Sequence, residues 1–500
     1  MKFIEFFKKI FRRINKLIAG SRLYLKFYTD NTVWENTAFF ESYTGQSFQG
    51  NPYYIFKEML KREDCANMKF YIAVINADEW KIKLKQRGLL KKNVRVVTYG
   101  SVAYVKALCH CKYLINNVIF NAKFIKKSEQ IYLNTWHGTG PKCVGNKLSA
   151  TPKAFVGPQR DLIIADYLVC PNKHSERIFL EDHMLSNICE QKFINVGYPR
   201  NTQFFDKLQR EKIIQENHLQ GKKVVVYLPT WRGTERLKDD LKAINEINKI
   251  AAKLSDTHIF YCKLHPNMLR MNFLVDNCRA IPDKYELYEF LCCADYLISD
   301  WSSVYTDFAN KSSNIILFQY DRDYMLDDRG LYLDFVNNSP FPVAKTGEDV
   351  LKLIDNDFAV DSYENFLKLY CAYDNIDCTK DVIDIILKNK KQSHSDITLI
   401  YIDKCLSKNE IDKLKAAAGN SIYKFVINDS LSDDDYLYFN NIDGFEYLIF
   451  SHTHAKNMGL EINKKRLWGN LGIEKLLYVN DDTIPEFLLK CVKVTIKINL

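Results

Sequence analysis

The chain has 500 residues, 47% hydrophobic and 13% aromatic, which is enough apolar material for two or three separate cores and excludes a disordered scaffold. The formal net charge is +9, with its densest cationic cluster at the N-terminus, and we predict no nucleic-acid partner. Fourteen cysteines in apolar contexts, without a C-x-x-C pair, indicate buried thiols in a reducing cytoplasm. The triplet Cys109-His110-Cys111 lacks the second ligand pair of a structural zinc site, so no metal is predicted.

Residues 1–28 are predicted to form an amphipathic helix that lies on a membrane surface. Apolar residues recur at three- and four-residue steps, and lysines and arginines occupy the remaining arc. Each basic residue near an anionic bilayer contributes about 1 kcal/mol of binding. The alternative is an ordinary helix packed against the body of the protein. The predicted membrane contacts are Phe3, Phe6, Phe7, Lys8, Lys9, Phe11, Arg12 and Arg13.

The segment also lacks the features of a signal peptide, and no apolar run is long enough to span a bilayer. We therefore expect a peripheral protein on the cytoplasmic face of the membrane.

Residues 29–200 alternate between short apolar runs and longer mixed segments, which predicts a Rossmann-like α/β lobe. A second series of strands follows the Gly and Pro of residues 197–200 and predicts another such lobe over 201–387. The predicted fold is therefore α/β, with two Rossmann-like lobes facing a cleft. A lysine-rich linker leads into residues 388–500, predicted to be a small accessory α/β region of unknown role.

The segment Asn134–Lys142 follows a predicted strand of the first lobe. His137 stands at the end of that strand, and the glycines after it allow the backbone to approach a ligand closely, as a general base over a phosphoryl centre requires. A core histidine in a tight turn explains this segment equally well. Gly138, Thr139 and Lys142 are predicted to support the loop.

Three consecutive strands of the second lobe end in groups that bind phosphate. The first is followed by Arg232, the second by Lys263 and His265, and the third by Ser302 and Ser303 ahead of a helix. Each group alone is commonplace, but together they fall where a doubly wound sheet places its ligand.

Eight segments, in chain order, resemble the motif series of the CDP-glycerol glycerophosphotransferases that build teichoic acids and related capsules. The resemblance runs from about residue 36 to about residue 375. The segments are Phe40-Glu41-Ser42-Tyr43, Asn51-Pro52, Trp136-His137-Gly138-Thr139, Gly197-Tyr198-Pro199-Arg200-Asn201, Pro229-Thr230-Trp231-Arg232, Lys263-Leu264-His265-Pro266, Ser299-Asp300-Trp301-Ser302-Ser303-Val304 and Arg329-Gly330-Leu331-Tyr332-Leu333-Asp334.

The resemblance implies a GT-B architecture and transfer of glycerol phosphate, or ribitol phosphate, from CDP-glycerol or CDP-ribitol to a lipid-linked saccharide or polyol-phosphate acceptor, with release of CMP. No further cofactor is implied. His137 would deprotonate the acceptor hydroxyl, and His265 would protonate or screen the departing CMP. The implied donor-binding residues are Arg232, Lys263, Asn267, Ser302, Ser303, Asp307 and Arg329.

Three positions depart from the family pattern: Gly140 precedes Pro141, Thr202 stands where an acid is usual, and Phe341 separates two prolines. These departures concern donor polyol and acceptor specificity. Two other functions fit parts of the sequence: a sugar-nucleotide glycosyltransferase of the same two-lobed build, and a non-catalytic membrane scaffold that needs no His137.

Overall fold

Three parallel β-sheets form the body of the protein in a computed structural model. The structure describes residues 23–148, 155–230, 232, 236–254, 257–264, 268–269, 273–326, 330–388, 397–428, 431–443, 445–450, 473–479 and 494–498. All eight predicted membrane contacts lie outside these ranges, as do His265, Asn267 and Arg329. Residues 23–29 are helical, and Tyr24 and Tyr28 are buried.

The first lobe contains a seven-stranded sheet in the order β3-β2-β1-β4-β5-β6-β7. Its strands are β1 (Trp34–Glu41), β2 (Lys69–Val74), β3 (Val94–Thr98), β4 (Cys111–Asn116), β5 (Ile131–Asn134), β6 (Tyr167–Val169) and β7 (Phe193–Ile194). Its α-helices include Asn51–Met59, Ala77–Gln86, Val102–His110, Val156–Ile164 and Lys173–Arg177. β1 is central to this sheet, although the sequence analysis identified it only as a motif. The topological switch point lies between β1 and β4.

The second lobe repeats this topology, with strand order β10-β9-β8-β11-β12-β13. Its strands are β8 (Lys223–Leu228), β9 (His258–Cys262), β10 (Arg279–Ala280), β11 (Tyr296–Ser299), β12 (Ile315–Phe318) and β13 (Val343–Ala344). Its α-helices include Lys207–Glu216, Leu237–Lys253, Leu287–Leu291, Val304–Ala309, Arg322–Tyr324, Leu333–Asn337 and Gly347–Asn356. Here the switch point lies between β8 and β11, so the ends of these two strands border the expected ligand crevice.

Two connections join the lobes. The chain first crosses through a 3₁₀ helix, Pro199–Phe205, and returns through helices Tyr363–Tyr370 and Cys378–Lys388. The last of these helices packs on Asn51–Met59 of the first lobe. Between them, the Asp374 carboxylate accepts hydrogen bonds from the backbone N–H of Tyr198 and from the amides of Asn201 and Asn310. Burial raises the pKa of Asp374 to about 7.

The C-terminal region contains a third doubly wound sheet, ordered β16-β15-β14-β17-β18. Its strands are β14 (Ile397–Ile402), β15 (Tyr423–Asn428), β16 (Tyr447–Phe450), β17 (Ile473–Tyr478) and β18 (Val494–Lys497), and its described helices include Lys408–Ala418 and Asp433–Asn440. The sheet shares a buried apolar cluster with the first lobe. The Gln159 side chain also donates to the Tyr447 carbonyl and accepts from the Ile449 N–H, so it pairs with the edge strand as another strand would.

Among the described residues, no helix combines the length and apolar character needed to cross a membrane.

Candidate active site

The loop that carries His137 follows β5 and is held through its carbonyl groups. The Asn51 amide donates to the carbonyls of Thr135 and Trp136 at 3.4 and 3.3 Å, and Arg200 Nη1 donates to the His137 carbonyl at 3.0 Å. Trp136 has φ +52°, a conformation that is costly for a bulky residue and persists only where the surroundings impose it. These three hydrogen bonds supply that constraint.

The His137 imidazole is fixed in one tautomer. Its Nδ1 lies 3.2 Å from the carbonyl oxygen of Asn117, at the end of β4. Because a carbonyl only accepts, Nδ1 carries the proton and Nε2 keeps its lone pair. Burial, together with the Arg200 cation, lowers the pKa of His137 to about 4, so the ring is neutral near pH 7. Residue His137 as a whole is nevertheless partly exposed, which favours a base over a core histidine.

The two lobes meet next to His137. A Cβ atom on Gly138, which has φ +144°, would lie 2.3 Å from Ser303 Oγ and 2.9 Å from Arg200 Nη2. A Cβ atom on Gly140 would lie 3.1 Å from Ser303 Cβ. Gly138 is therefore needed for this approach, whereas a methyl group at Gly140 would require Ser303 to move by a few tenths of an ångström. The structure thus brings together the predicted base loop and Ser303, one of the predicted donor-binding serines.

A buried arginine from the first interlobe connection links the two lobes. Besides its bond to the His137 carbonyl, Arg200 donates to Asp307 Oδ2 of the second lobe at 2.6 Å. Its guanidinium lies 4.8 Å from the centre of the Tyr288 ring, and the Tyr288 hydroxyl also donates to Asp307. Asp307 was predicted to bind the donor, but its carboxylate is buried against Arg200. Its direct contact with a donor stays a prediction.

Arg232 lies at the switch point of the second lobe, between two carboxylates. It donates to Asp300 at 2.8 Å and to Asp321 at 2.6 and 3.1 Å, and all three side chains are buried. Burial alone would lower the pKa of Arg232, but both aspartates offset this effect and the pKa is raised. A fourth bond reaches the Thr230 carbonyl. Arg232 therefore braces the segments after β8, β11 and β12, and its predicted role in donor binding stays a prediction.

Lys263 and Ser302 complete the described part of the predicted donor side. Lys263 follows β9 with an exposed side chain, yet protein atoms around it and the cations Arg87 and Lys83 lower its pKa. Desolvation is the largest cause, although Glu286 partly opposes it. Ser302 is partly exposed, and its hydroxyl accepts a long hydrogen bond of 3.4 Å from the Val304 N–H. Both residues are therefore accessible to solvent.

The predicted supporting loop contacts both lobes. The Thr139 hydroxyl is buried and accepts from Asn172 at 2.9 Å. Lys142 pairs with Leu331 in an antiparallel bridge, and the Tyr332 N–H donates to the Pro141 carbonyl at 2.8 Å. The segment that follows Arg329 therefore packs against the His137 loop. Within the described ranges, no group of three or more His, Cys, Asp or Glu side chains is arranged to hold a metal ion.

The comparisons with known proteins identify the family. A model described as CDP-Glycerol:Poly(glycerophosphate) glycerophosphotransferase matches residues 23–388. The chain belongs to this family.

Glycerophosphotransferases with similar sequences include the teichoic acid poly(glycerol phosphate) polymerases of Staphylococcus epidermidis and Bacillus spizizenii. The first is 25% identical over 421 residues, covering 77% of this chain and 56% of the relative. The second is 26% identical over 375 residues, covering 71% of this chain and 92% of the relative. The teichoic acid poly(ribitol-phosphate) polymerase of B. spizizenii is 24% identical and covers 71% of this chain and 56% of the relative. The chain thus spans little more than half of two of these relatives.

The fold of this chain is similar to that of the wall teichoic acid polymerase TagF. One TagF structure has a TM-score of 0.64 and 25% identity, covering 78% of this chain and 97% of that chain. The prediction of a GT-B-like α/β fold with two Rossmann-like lobes is confirmed. The predicted domain boundaries stay predictions.

Sequence reasoning assigned no role to several residues that shape the site. Asn51 and Arg200 belong to quoted motifs, and Tyr43 and Asn117 follow central strands of the first lobe. Polar residues directly after strands β1 and β4 were the available signal, because these strands flank the switch point. That signal was missed because β1 was not recognised as a strand.

Proposed function

We propose that this protein transfers a polyol phosphate, in the first instance glycerol phosphate, from a CDP-activated donor to a hydroxyl group of a teichoic acid-type acceptor. Family membership supports this class of reaction. The observation that carries the proposal for this chain is the neutral, oriented His137 imidazole on a loop that meets Ser303 of the opposite lobe at the next residue, Gly138. A base on one lobe and a phosphate-binding serine on the other are the parts that such a transfer needs.

In the proposed reaction, the acceptor oxygen attacks the distal phosphorus of the donor. A new O–P bond forms, the bond between that phosphorus and the oxygen of CMP breaks, and the acceptor proton moves to His137 Nε2. CMP leaves with the electron pair of the broken bond. Because phosphoryl transfer needs little covalent participation from the protein, the rate depends on alignment and on neutralising oxygen charge.

The donor diphosphate is proposed to lie against Ser302, Ser303 and Lys263 in the second lobe. Arg232 already faces two carboxylates and therefore contributes little net positive charge to this side of the cleft. His265, Asn267 and Arg329 lie outside the described residues and stay predicted donor ligands. Lys263 is an exposed residue that follows β9, and we propose that its ammonium group meets a donor phosphate.

The acceptor is proposed to be lipid-linked, with the enzyme bound peripherally to the cytoplasmic face of the membrane. The cationic and aromatic N-terminal sequence supports membrane contact. CDP-ribitol is an alternative donor, because sequence relatives include both glycerol- and ribitol-phosphate polymerases.

The test is CMP release by the purified full-length protein. CDP-glycerol, CDP-ribitol and UDP-sugars are supplied separately with a synthetic lipid-linked disaccharide bearing one glycerol phosphate unit, and product mass is recorded. We expect CMP from a CDP-polyol and a mass increase of one polyol phosphate. His137→Gln should lower the rate at least 100-fold, whereas His218→Gln, at an exposed position, should not. Release from UDP-sugars alone, or an unaffected His137→Gln variant, would exclude the proposal.

A further inference from the structure

The His137 loop approaches the second lobe through two residues that have no side chain. Gly138 and Gly140 are the positions where an added Cβ atom would meet Ser303. Thr139, which stands between them, therefore carries the only side chain of residues 138–140. This side chain is buried in the first lobe, where its hydroxyl accepts a hydrogen bond from Asn172 at 2.9 Å. At this point the loop is held by the Thr139 hydroxyl.

Asn172 is buried and uses every polar atom of its side chain. Its Oδ1 accepts from the Ser175 N–H at 2.8 Å and so caps the helix Lys173–Arg177. Its Nδ2 donates to Thr139 Oγ1 at 2.9 Å and to the Tyr370 carbonyl at 2.6 Å. Because a backbone N–H only donates and a carbonyl only accepts, these neighbours determine which side-chain atom is oxygen and which is nitrogen. The two protons of the amide group thus bind two different segments of the chain.

Tyr370, the second of these partners, is packed on the second lobe. It is the last residue of helix Tyr363–Tyr370, so its carbonyl oxygen has no partner within that helix. Its ring centre lies 4.2 Å from that of Phe335, which belongs to helix Leu333–Asn337 of the second lobe. One amide group therefore connects the His137 loop of the first lobe to a segment packed on the second lobe.

The residue two positions after Asn172 packs on the same part of the second lobe. The centre of the buried His174 ring lies 4.9 Å from that of Tyr332 and 5.1 Å from that of Phe335. The short helix that Asn172 caps is thus held against the second lobe by ring contacts as well as by the amide. A displacement of the second lobe at these rings would move the Asn172 amide and, with it, the Thr139 hydroxyl.

We propose that Asn172 is a positioning residue for the transfer reaction. It holds the Thr139 hydroxyl, and thereby His137 two residues earlier, at a place that depends on Tyr370. Together with the bond from Arg200 to the His137 carbonyl, it gives the loop two anchors that both extend to the second lobe. This inference rests on the proposed function and adds how the arrangement of the lobes aligns the base.

The experiment removes the connection from each of its ends. Asn172→Ser keeps a hydroxyl that can cap the helix, but this side chain is too short to reach Thr139 and Tyr370. Thr139→Val keeps the branched shape and removes the hydroxyl, whereas Thr139→Ser keeps the hydroxyl. The assay is CMP release with CDP-glycerol and the lipid-linked acceptor, and thermal denaturation shows that each variant is folded at the assay temperature.

We expect Asn172→Ser and Thr139→Val each to lower kcat about tenfold, because a displacement of about 1 Å in aligned groups costs on the order of 100-fold. The KM for CDP-glycerol should change less than about twofold, since neither residue belongs to the proposed donor site. Thr139→Ser should keep the wild-type kcat. A wild-type kcat in Thr139→Val or in a folded Asn172→Ser variant would overturn the proposal, and if Asn172→Ser does not fold, the two Thr139 variants decide.

The double variant distinguishes one shared connection from two separate defects. Thr139→Val combined with Asn172→Ser should be no slower than the slower single variant, because both substitutions break the same connection. Independent structural defects would multiply to a loss of about 100-fold, and that result would overturn the proposal.

Asn93→Ser is the matched control. The Asn93 amide donates to the Met68 carbonyl at 2.9 Å, and these residues precede β3 and β2, at the edge of the sheet opposite the His137 loop. This variant should keep the wild-type kcat, and a loss equal to that of Asn172→Ser would contradict the inference. Failure of the proposed function is distinguishable, because the wild-type protein would then release no CMP at all.

Discussion

The contact between Gly138 and Ser303 offers the sharpest test of the lobe arrangement. In Gly138→Ala the added methyl group would lie 2.3 Å from Ser303 Oγ and 2.7 Å from Ser303 Cβ. Ordinary van der Waals contact begins near 3.4 Å, so the two segments must separate by about 0.7–1.1 Å. The backbone at φ +144° adds strain of about 1–3 kcal/mol for any residue with a Cβ atom.

This displacement acts directly on catalysis because Gly138 follows His137 and Ser303 borders the donor side. A misplacement of about 1 Å costs on the order of 100-fold in rate when it disturbs the alignment of reacting groups. We therefore expect the Gly138→Ala variant to release CMP about 100-fold more slowly at saturating CDP-glycerol. The thermal denaturation midpoint of this variant should fall only as far as a loss of about 1–3 kcal/mol from backbone strain at residue 138 requires.

Gly100→Ala is the matched control. Gly100 also has a positive φ, +74°, but a Cβ atom there meets nothing within 4 Å. This control should show the stability loss that backbone strain causes and keep its rate of CMP release. The assays are steady-state CMP release and thermal denaturation of both variants. Full activity in Gly138→Ala, or an equal loss in Gly100→Ala, would refute the reasoning that the lobes meet at this point during catalysis.

Two further predictions concern the ionised groups of the site. The neutral form of His137 is the base, and it predominates above its pKa of about 4. In the pH profile of the wild type, kcat/KM should therefore decrease only when the pH drops to about 4–5. A decrease that already begins at pH 6.5 or above would contradict this prediction. Arg232→Met should destabilise the protein without any ligand by about 3–5 kcal/mol in urea titrations, because it leaves the buried Asp300 and Asp321 carboxylates without their cation. If Arg232 acted only on the donor, the urea midpoint would stay unchanged and only the KM for CDP-glycerol would rise.

Local pattern was sufficient to predict most strands and the location of His137. Runs such as residues 223–228 and 258–262 are apolar because parallel strands are covered on both faces, and this burial determines their sequence. β1 was missed since its first residues, Trp34-Glu35-Asn36-Thr37, interrupt the apolar run. Its buried half, residues 37–41, is nevertheless the centre of the first sheet.

Contacts between distant segments explain why Arg232 and Asp307 have partners in the structure that the sequence did not predict. The sequence places Arg232 after β8 and predicts a phosphate ligand, but it does not reveal that Asp300 and Asp321 converge on the same guanidinium. Asp307 likewise faces Arg200 because the two lobes pack together there. In both cases the residue type was compatible with a role in donor binding, but tertiary packing determines which side chain it actually contacts.

Arg200 makes the position of the base depend on the position of the second lobe. One guanidinium holds the His137 carbonyl through Nη1 and the Asp307 carboxylate through Nη2, and it is buried in both contacts. While the Arg200–Asp307 ion pair is intact, the lobes cannot separate widely at this point. Substrates must then reach His137 from the side of the cleft where Ser302 and Lys263 are accessible. The same arrangement that restricts entry keeps the base aligned throughout the reaction.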